Sequence, residues 1–184
     1  MSQIETLYGP VSPDVFARAG QIRLLVCDVD GVLSDGRIYM GNQGEELKTF
    51  HTKDGFGLKA LRDIGIEVGI ITGRSSKIVS DRMAALGIEH LYQGQGAKLP
   101  AFQDLLDVLG LEASQAAYIG DDVIDIPVMQ ASCLGVAVAD AHPLAQRAAR
   151  YITRLRGGEG AVREVCDLLL QANQALDQAQ GASV

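Results

Sequence analysis

The stretch that decides the fold is Leu24-Leu25-Val26-Cys27-Asp28-Val29-Asp30-Gly31. Its apolar part, which begins at Ile22, favours a strand buried on both faces. Asp28 and Asp30 follow where this strand ends, and Gly31 lets the backbone turn. Ligands of open α/β sheets bind beyond the carboxyl ends of the strands. Because two neighbouring buried carboxylates need a cation or a proton, the stretch predicts a chemical site at that position.

Composition limits the class of protein. The chain has 184 residues, of which 47% are apolar, and a net charge of −7. A single domain over residues 1–184 is the expectation at this length, and the negative charge argues against nucleic-acid or anionic-membrane binding. We see no secretion signal and no run of membrane-spanning length. Cys27, Cys133 and Cys166 are odd in number and lie in apolar sequence, which predicts reduced thiols and a cytoplasmic protein.

Strand and helix patterns alternate along the chain. Strands are predicted at 22–29, 68–72, 88–92, 116–120 and 134–138, and helices at 56–65, 75–86, 99–109, 124–130 and 143–150. Alternation of this kind predicts an α/β fold with a doubly wound, mainly parallel sheet. Residues 37–51 read as a β-hairpin flap around a Gly-Asn-Gln-Gly turn. Residues 156–184 read as a glycine-rich tail with a closing helix from 161 to about 175.

Four polar clusters follow predicted strands. They are Asp28 with Asp30; Thr72-Gly73-Arg74; Lys98; and Asp121-Asp122 with Asp125. A residue of this kind after a strand is by itself more often a helix cap, and a lone lysine is more often solvated surface. A parallel sheet brings all four clusters to one edge, which favours a shared site.

This order of motifs resembles the haloacid-dehalogenase-type phosphohydrolase superfamily over residues 22–150. The resemblance implies that Asp28 attacks phosphorus to give an aspartyl-phosphate, and that Asp30 acts as general acid and then as general base. It implies that Thr72 and Gly73 hold phosphate oxygens and that Lys98 offsets negative charge. Aspartate at position 30 favours phosphatase chemistry over that of ATPase or dehalogenase relatives.

The same resemblance implies a Mg²⁺ cofactor. Its protein ligands would be Asp28, Asp30 (including the backbone carbonyl) and Asp121. Asp122 or Asp125 would not bind the ion directly but would orient water and Lys98. Oxygen ligands of this type suit Mg²⁺. The intervals between the motifs hold only the hairpin, two helices and a strand, so no cap domain is expected. A neighbouring subunit that contacts the hairpin is the expected lid, whereas a simple extension of the sheet is the other interpretation of the hairpin.

A narrower resemblance covers nearly the whole chain. The hairpin, the segment 51–55, Thr72-Gly73-Arg74 and the run 157–164 are similar to the 3-deoxy-D-manno-octulosonate 8-phosphate (KDO 8-phosphate) phosphatases, a capless, tetrameric subgroup that acts in lipopolysaccharide synthesis. The implied substrate contacts are Asp30, His51, Thr52, Lys53, Asp54, Gly55, Lys59, Gly73, Arg74, Arg82 and Lys98. The glycine-rich tail would close over a neighbour's site.

Arginine suits the carboxylate of such a substrate. Arg74 and Arg82 are eight residues apart, which predicts one face of one helix. Surface solvation is the alternative for Arg82 and Lys59, and a flexible linker is the alternative for 157–160.

Three other functions stay open at this stage. A related nine-carbon keto-acid 9-phosphate, as in sialic-acid-type pathways, would present the same phosphate and carboxylate. A signalling receiver domain uses similar residues, but its acidic pair precedes the phosphorylated aspartate, whereas here Asp121 and Asp122 come last. A catalytically silent binding domain is disfavoured by the intact set of polar motifs.

Overall fold

Six parallel strands form the central sheet of the computed structural model, which describes residues 3–177. The strands of the chain are β1 Leu24–Cys27, β2 Tyr39–Met40, β3 Glu46–Leu47, β4 Glu67–Ile71, β5 His90–Tyr92, β6 Ala116–Gly120, β7 Leu134–Ala137 and β8 Tyr151–Ile152. The helices are α1 Pro13–Ala19, α2 Thr52–Asp63, α3 Lys77–Ala85, α4 Lys98–Leu109, α5 Ile126–Ala131, α6 Pro143–Ala148 and α7 Ala161–Ala172. The predicted α/β fold is confirmed.

The order of the strands places β1 in the middle of the sheet. The order is β5-β4-β1-β6-β7-β8, while β2 and β3 form a separate antiparallel hairpin. The chain runs from β1 outward through β4 and β5, and then crosses to β6 on the other side of β1. The carboxyl ends of β1 and β6 therefore lie side by side at the point where the winding reverses, which is where open α/β sheets bind ligands.

Helices in two groups cover the sheet. Helix α7 packs on α1 and α2, whereas α5 packs on α4 and α6, and both groups contact sheet strands. Every residue of β1, β6 and β7 is buried, as expected for strands covered on both faces. Among residues 3–177, no helix combines the length and apolarity needed to cross a membrane.

Helix α2 begins at Thr52, four residues before the predicted start at 56. The reason is local, because the His51 Nδ1 atom accepts a hydrogen bond from the Lys53 amide at 3.1 Å and so caps the first turn. The helix also contains Gly57, which helix propensity disfavours. A Cβ at Gly57 would lie 2.9 Å from the Cβ of Cys166, so the close approach of α2 to α7 requires glycine.

The hairpin is shorter than predicted. Strands β2 and β3 have two residues each, and the expected strand that continued to His51 is wrong because His51 caps α2. An isolated two-stranded ribbon has few partners that could extend it. Its side chains Tyr39, Met40 and Leu47 are exposed, so the hairpin presents an apolar surface.

The segment 157–158 packs against the loop that follows β1. The Gly158 amide donates to the Val32 carbonyl at 2.9 Å, and the Gly157 amide donates to Asp140 Oδ1 at 2.9 Å. The sequence predicted a tail from 156 that closes over a neighbour's site. These two glycines lie against a loop of their own chain, and closure over a neighbour's site stays a prediction. Residues 178–184 of the predicted tail lie outside the described residues. Helix α7 ends at Ala172, before the predicted end near 175.

Replacing Gly157 with alanine is expected to destabilise the fold. A Cβ at this position would collide with the backbone carbonyl of Gly31, and backbone cannot move aside as a flexible side chain can. We expect Gly157→Ala to lower the free energy of unfolding by about 1–3 kcal/mol, as overpacking does, when measured by urea titration. Gly20→Ala is the matched control, because a Cβ at Gly20 meets only ordinary van der Waals contacts. Equal stability of the two variants would contradict this account of the segment.

Candidate active site

One cavity of about 190 Å³ lies at the carboxyl edge of the sheet, where β1 and β6 end side by side. Its lining contains residues from all four polar clusters that the sequence predicted to converge. The lining residues are Asp28, Asp30, Thr72, Gly73, Arg74, Lys98, Asp121, Asp122 and Ile124. Convergence of the four clusters is therefore an observed property of the fold.

Asp28 and Lys98 form a buried ion pair at the bottom of this cavity. Lys98 Nζ lies 3.0 Å from Asp28 Oδ1 and 2.7 Å from Asp125 Oδ1. Burial alone would lower the pKa of Lys98, but the two carboxylates outweigh it and raise that pKa above its usual value. Lys98 therefore stays cationic beside Asp28. The Val29 amide also donates a hydrogen bond to Asp28 Oδ1 at 2.7 Å.

Asp125 lies beneath the cavity and orders its floor. Its Oδ1 atom accepts from Lys98 and from the Tyr118 hydroxyl at 2.6 Å. Its Oδ2 atom accepts from the amides of Asp121 and Asp122 at 2.9 and 3.1 Å. With four donors Asp125 is fully engaged, which suits the orienting role that the sequence suggested. Sequence reasoning missed Tyr118, although a phenol in an otherwise apolar strand was a usable signal.

Gly31 allows Asp121 to approach the loop after β1. Its φ angle of +92° lies in the left-handed region that favours glycine. A Cβ at Gly31 would also collide with the Asp121 carboxylate. The glycine in the Asp28-Val29-Asp30-Gly31 motif therefore both turns the chain and makes room for the carboxylate of Asp121, which directly follows the neighbouring strand β6.

The loop after β4 brings Thr72 to the cavity. The Thr72 amide donates to the Tyr92 carbonyl at 2.9 Å, and the Gln95 amide donates to the Thr72 carbonyl at 3.0 Å. These bonds fix Thr72 and leave Gly73 exposed at the cavity edge. Arg74 follows at the rim, where its guanidinium lies 3.1 Å from Glu46 Oε2 of β3.

Lys48, just beyond the end of β3, reaches Asp30. Its Nζ atom lies 2.7 Å from Asp30 Oδ1, and its side chain is 0% exposed. Nothing in the sequence indicated this contact, because a lysine in a predicted hairpin is expected on a solvated surface. The hairpin therefore supplies a cation to the site.

Several predicted substrate contacts lie away from the cavity. His51, Asp54, Gly55 and Arg82 line a separate small depression. Helix α3 begins at Lys77, so Arg74 precedes it, and the prediction that Arg74 and Arg82 share one helix face is wrong.

The remaining predicted contacts, Thr52, Lys53 and Lys59, line neither of these depressions. Thr52 and Lys53 are exposed in the first turn of α2, and Lys59 is half-buried further along the same helix. The structure of one chain therefore does not bring the segment 51–55, Lys59 and Arg82 together with Asp28.

Comparison with known proteins supports the same interpretation as the geometry of the cavity, a hydrolase active site. Residues 90–164 match the family described as haloacid dehalogenase-like hydrolase. The 3-deoxy-D-manno-octulosonate 8-phosphate phosphatase KdsC of Escherichia coli K12 is 60% identical over 183 residues, which covers 100% of this chain and 97% of that protein. The chain belongs to the haloacid dehalogenase-like hydrolase family. The full-length similarity also confirms the predicted resemblance to the KDO 8-phosphate phosphatases and argues against a receiver domain.

Solved structures of other hydrolases in this family agree. The 3-deoxy-D-manno-octulosonate 8-phosphate phosphatase of Yersinia pestis is 58% identical, with a TM-score of 0.97 and coverage of 100% of this chain and 99% of that one. The enzyme of Moraxella catarrhalis is 44% identical, with a TM-score of 0.88 and coverage of 90% and 95%. The latter structure contains a magnesium ion, a phosphate ion and a KDO molecule.

The carboxylates of this hydrolase fit a divalent cation. Oxygen atoms of Asp28, Asp121 and Asp125 all lie within 4.8 Å of one another, and Lys98 supplies one positive charge against three negative ones. Since Asp125 is already engaged by four donors, Asp28 and Asp121 are the carboxylates best able to hold an ion. Hard oxygen ligands in this number suit Mg²⁺ with additional waters.

Stability of the hydrolase in a chelator is expected to fall as pH rises. Burial and the nearby carboxylates raise the pKa of Asp121 to about 8, and burial raises the pKa of Asp28 to about 6 despite Lys98. Native carboxyls with raised pKa values hold protons that the unfolded chain has already lost, so stability declines as pH rises through these values. We expect the thermal midpoint in chelator to decrease by several degrees between pH 5 and pH 8.5.

Added Mg²⁺ should oppose that decline. The ion binds the ionised carboxylates, so the increase in thermal midpoint that it causes should grow with pH. Asp121→Asn removes the group with the higher pKa and should flatten the profile in chelator above pH 7. A midpoint that rises from pH 6 to pH 8.5 in chelator would refute the assignment.

Proposed function

We propose that this hydrolase is a Mg²⁺-dependent phosphomonoesterase that converts KDO 8-phosphate to KDO and phosphate, a reaction of lipopolysaccharide synthesis. The observation that carries the proposal is the convergence of Asp28, Asp30, Thr72, Lys98 and Asp121 on one cavity. Nucleophile, proton donor, oxygen-binding loop and cations are the groups that phosphoryl transfer requires. The relatives named above carry the same activity in their names.

In the first step an Asp28 oxygen attacks phosphorus and the bond from phosphorus to the sugar oxygen breaks. Asp30 gives its proton to that departing oxygen, and the product is an aspartyl-phosphate on Asp28. The Thr72 hydroxyl and the Gly73 amide hold the phosphoryl oxygens during this step, while Lys98 balances the charge on Asp28.

In the second step water replaces the aspartate. Asp30, now a carboxylate, accepts a proton from the water whose oxygen attacks phosphorus, and the bond to Asp28 breaks. Bound Mg²⁺ supplies charge neutralisation for the phosphoryl oxygens, with Asp28, Asp121 and the Asp30 carbonyl as its protein ligands. Asp125 holds Lys98 and the Asp121 amide in place throughout.

The size of the cavity indicates how the substrate lies. A volume of about 190 Å³ is below the roughly 300–1,000 Å³ typical of pockets that enclose a whole ligand. The cavity therefore takes the phosphoryl group, and the sugar chain extends past the rim. Arg74 lies at that rim with its side chain 49% exposed, where its guanidinium can meet the substrate carboxylate.

Turnover of a small set of phosphate esters tests the function. KDO 8-phosphate, a nine-carbon keto-acid 9-phosphate and p-nitrophenyl phosphate are each assayed with Mg²⁺ and with chelator. We expect Mg²⁺-dependent phosphate release with the highest kcat/KM for KDO 8-phosphate. Faster turnover of the nine-carbon ester would assign the enzyme to the related pathway, and activity that resists chelation would reject the metal-dependent mechanism.

We further propose that the protein is a cytoplasmic homotetramer in which a neighbouring subunit covers each site. Support comes from the exposed hairpin residues Tyr39, Met40 and Leu47 beside an open cavity, and from three cysteines without disulfides. The distance of Arg82 and the segment 51–55 from the cavity is compatible with their acting on a neighbour's substrate. Light scattering of the wild type and of Met40→Ser with Leu47→Ser tests the assembly, and an unchanged mass for the double variant would remove the hairpin from the interface.

A further inference from the structure

Lys48 makes a contact that the mechanism above does not use. Its Nζ atom lies 2.7 Å from Oδ1 of Asp30, which lines the cavity with its side chain 20% exposed. A lysine ammonium normally stays in water because desolvation is costly. The Lys48 side chain is nevertheless 0% exposed; Asp30 Oδ1 accepts its hydrogen bond, and Glu46 supplies a nearby negative charge.

Neighbouring charges hold Lys48 in this position. Glu46 Oε1 lies 3.7 Å from Lys48 Nζ, and Glu46 Oε2 lies 3.1 Å from a guanidinium nitrogen of Arg74. Arg74 belongs to the same loop as Thr72 and Gly73. The chain of charges Asp30–Lys48–Glu46–Arg74 thus joins the hairpin to the two loops that form the cavity wall.

The contact distinguishes the two oxygens of Asp30. Lys48 carries only donors and occupies Oδ1, which leaves Oδ2 for contact with the substrate. A carboxyl without this contact can rotate about its Cβ–Cγ bond and present either oxygen. Proton transfer is efficient only when donor and acceptor are within hydrogen-bond reach in a defined geometry.

We propose that Lys48 is a positioning residue that orients Asp30 for protonation of the departing alcohol, by holding Oδ1 and restricting rotation of the carboxyl group. This role rests on the proposed function, because it requires Asp30 to be the general acid. Lys48 acts through Asp30 and is separate from Lys98, which neutralises charge at Asp28.

The role predicts a specific dependence on the leaving group. The oxygen of p-nitrophenol departs with little need for a proton, whereas that of unsubstituted phenol needs more help. A series of substituted phenyl phosphates varies this need while the size of the ester changes little. The kcat/KM value reports the steps up to loss of the phenol, so later hydrolysis of the aspartyl-phosphate does not enter.

Lys48→Met is the test variant, because methionine retains most of the apolar stem and removes the ammonium. We expect kcat/KM for phenyl phosphate to fall at least about tenfold more than for p-nitrophenyl phosphate, a fraction of the 10²–10⁴ that general acid catalysis contributes. Lys48→Arg retains a cationic donor and should restore part of the ratio. The ratio within one preparation is independent of the fraction that is correctly folded.

Lys77→Met is the matched control, since Lys77 is 85% exposed and pairs only with Asp81 on the surface of α3 among the contacts described; its ratio should equal that of the wild type. An equal loss on both esters, or no loss, in Lys48→Met would overturn the positioning role while leaving the proposed function intact. A wild type without Mg²⁺-dependent activity on any ester would instead overturn the proposed function, and the inference with it.

Discussion

Asp28→Asn is expected to abolish phosphate release while the fold remains intact. An amide oxygen is a poor nucleophile towards phosphorus, so the aspartyl-phosphate cannot form at a useful rate. Removal of a nucleophile costs on the order of 10⁴-fold or more in kcat. Steady-state release of phosphate from KDO 8-phosphate in the presence of Mg²⁺ measures the loss, and mass spectrometry after an acid quench shows whether any phosphoenzyme forms.

The stability of Asp28→Asn should not explain its inactivity. Asparagine has nearly the same shape, and the substitution removes one of the carboxylates that crowd together with Asp121 and Asp125. Lys98 keeps its 2.7 Å contact with Asp125. We therefore expect a thermal midpoint in chelator at least as high as that of the wild type. Asp63→Asn, at the exposed end of α2, is the control and should retain full activity. Substantial turnover by Asp28→Asn would end the case for covalent catalysis at this residue.

Lys98→Met is expected to lose both activity and stability. Its ammonium lies 3.0 Å from Asp28 and 2.7 Å from Asp125, and all three side chains are buried. Removing one member of a buried ion pair leaves uncompensated charge and costs about 3–5 kcal/mol. At roughly 2–4 °C per kcal/mol for a protein of this size, the thermal midpoint should drop by about 6–20 °C at pH 8 in chelator.

The pH dependence of this loss identifies its cause. Burial raises the pKa of Asp28 to about 6 in the wild type although Lys98 lowers it, and removal of Lys98 raises that pKa further. Lowering the pH to 5 therefore protonates the carboxyl that Lys98→Met leaves unpaired. The destabilisation should therefore be smaller at pH 5 than at pH 8. Combining Lys98→Met with Asp28→Asn should also recover part of the stability. A destabilisation that is equal at both pH values would point to lost packing rather than lost charge.

The sequence predicted the sheet and the site because both follow from local pattern. Apolar runs such as that of β1 end directly at residues such as Asp28, and a parallel order then brings those ends together. This logic placed Thr72, Lys98 and Asp121 on one cavity without knowledge of the packing. The observed strand and helix bounds differ from the predicted ones by a few residues. The differences occur where a helix cap sets the bound, as at His51, or where strands pair over only two residues, as in the hairpin.

The features that the sequence did not predict depend on tertiary contacts. Nothing near Lys48 in the chain indicates that it reaches Asp30, because the hairpin must first fold back over the loop after β1. Helix α2 contains Gly57 because α7 packs closely on it, a contact that the local sequence does not indicate. Arg82 was expected beside Arg74, but the helix starts at Lys77 and the fold of the chain then turns Arg82 towards Gly55.

The glycine pair at 157 and 158 has a consequence for synthesis of the protein. A ribosome that stops before residue 157 releases a chain that already carries every residue lining the cavity, the last of which is Ile124. That chain lacks the segment that backs the loop after β1 and lacks α7, nine residues of which are buried in the complete fold. Premature termination there should therefore yield an aggregating fragment rather than a smaller active enzyme.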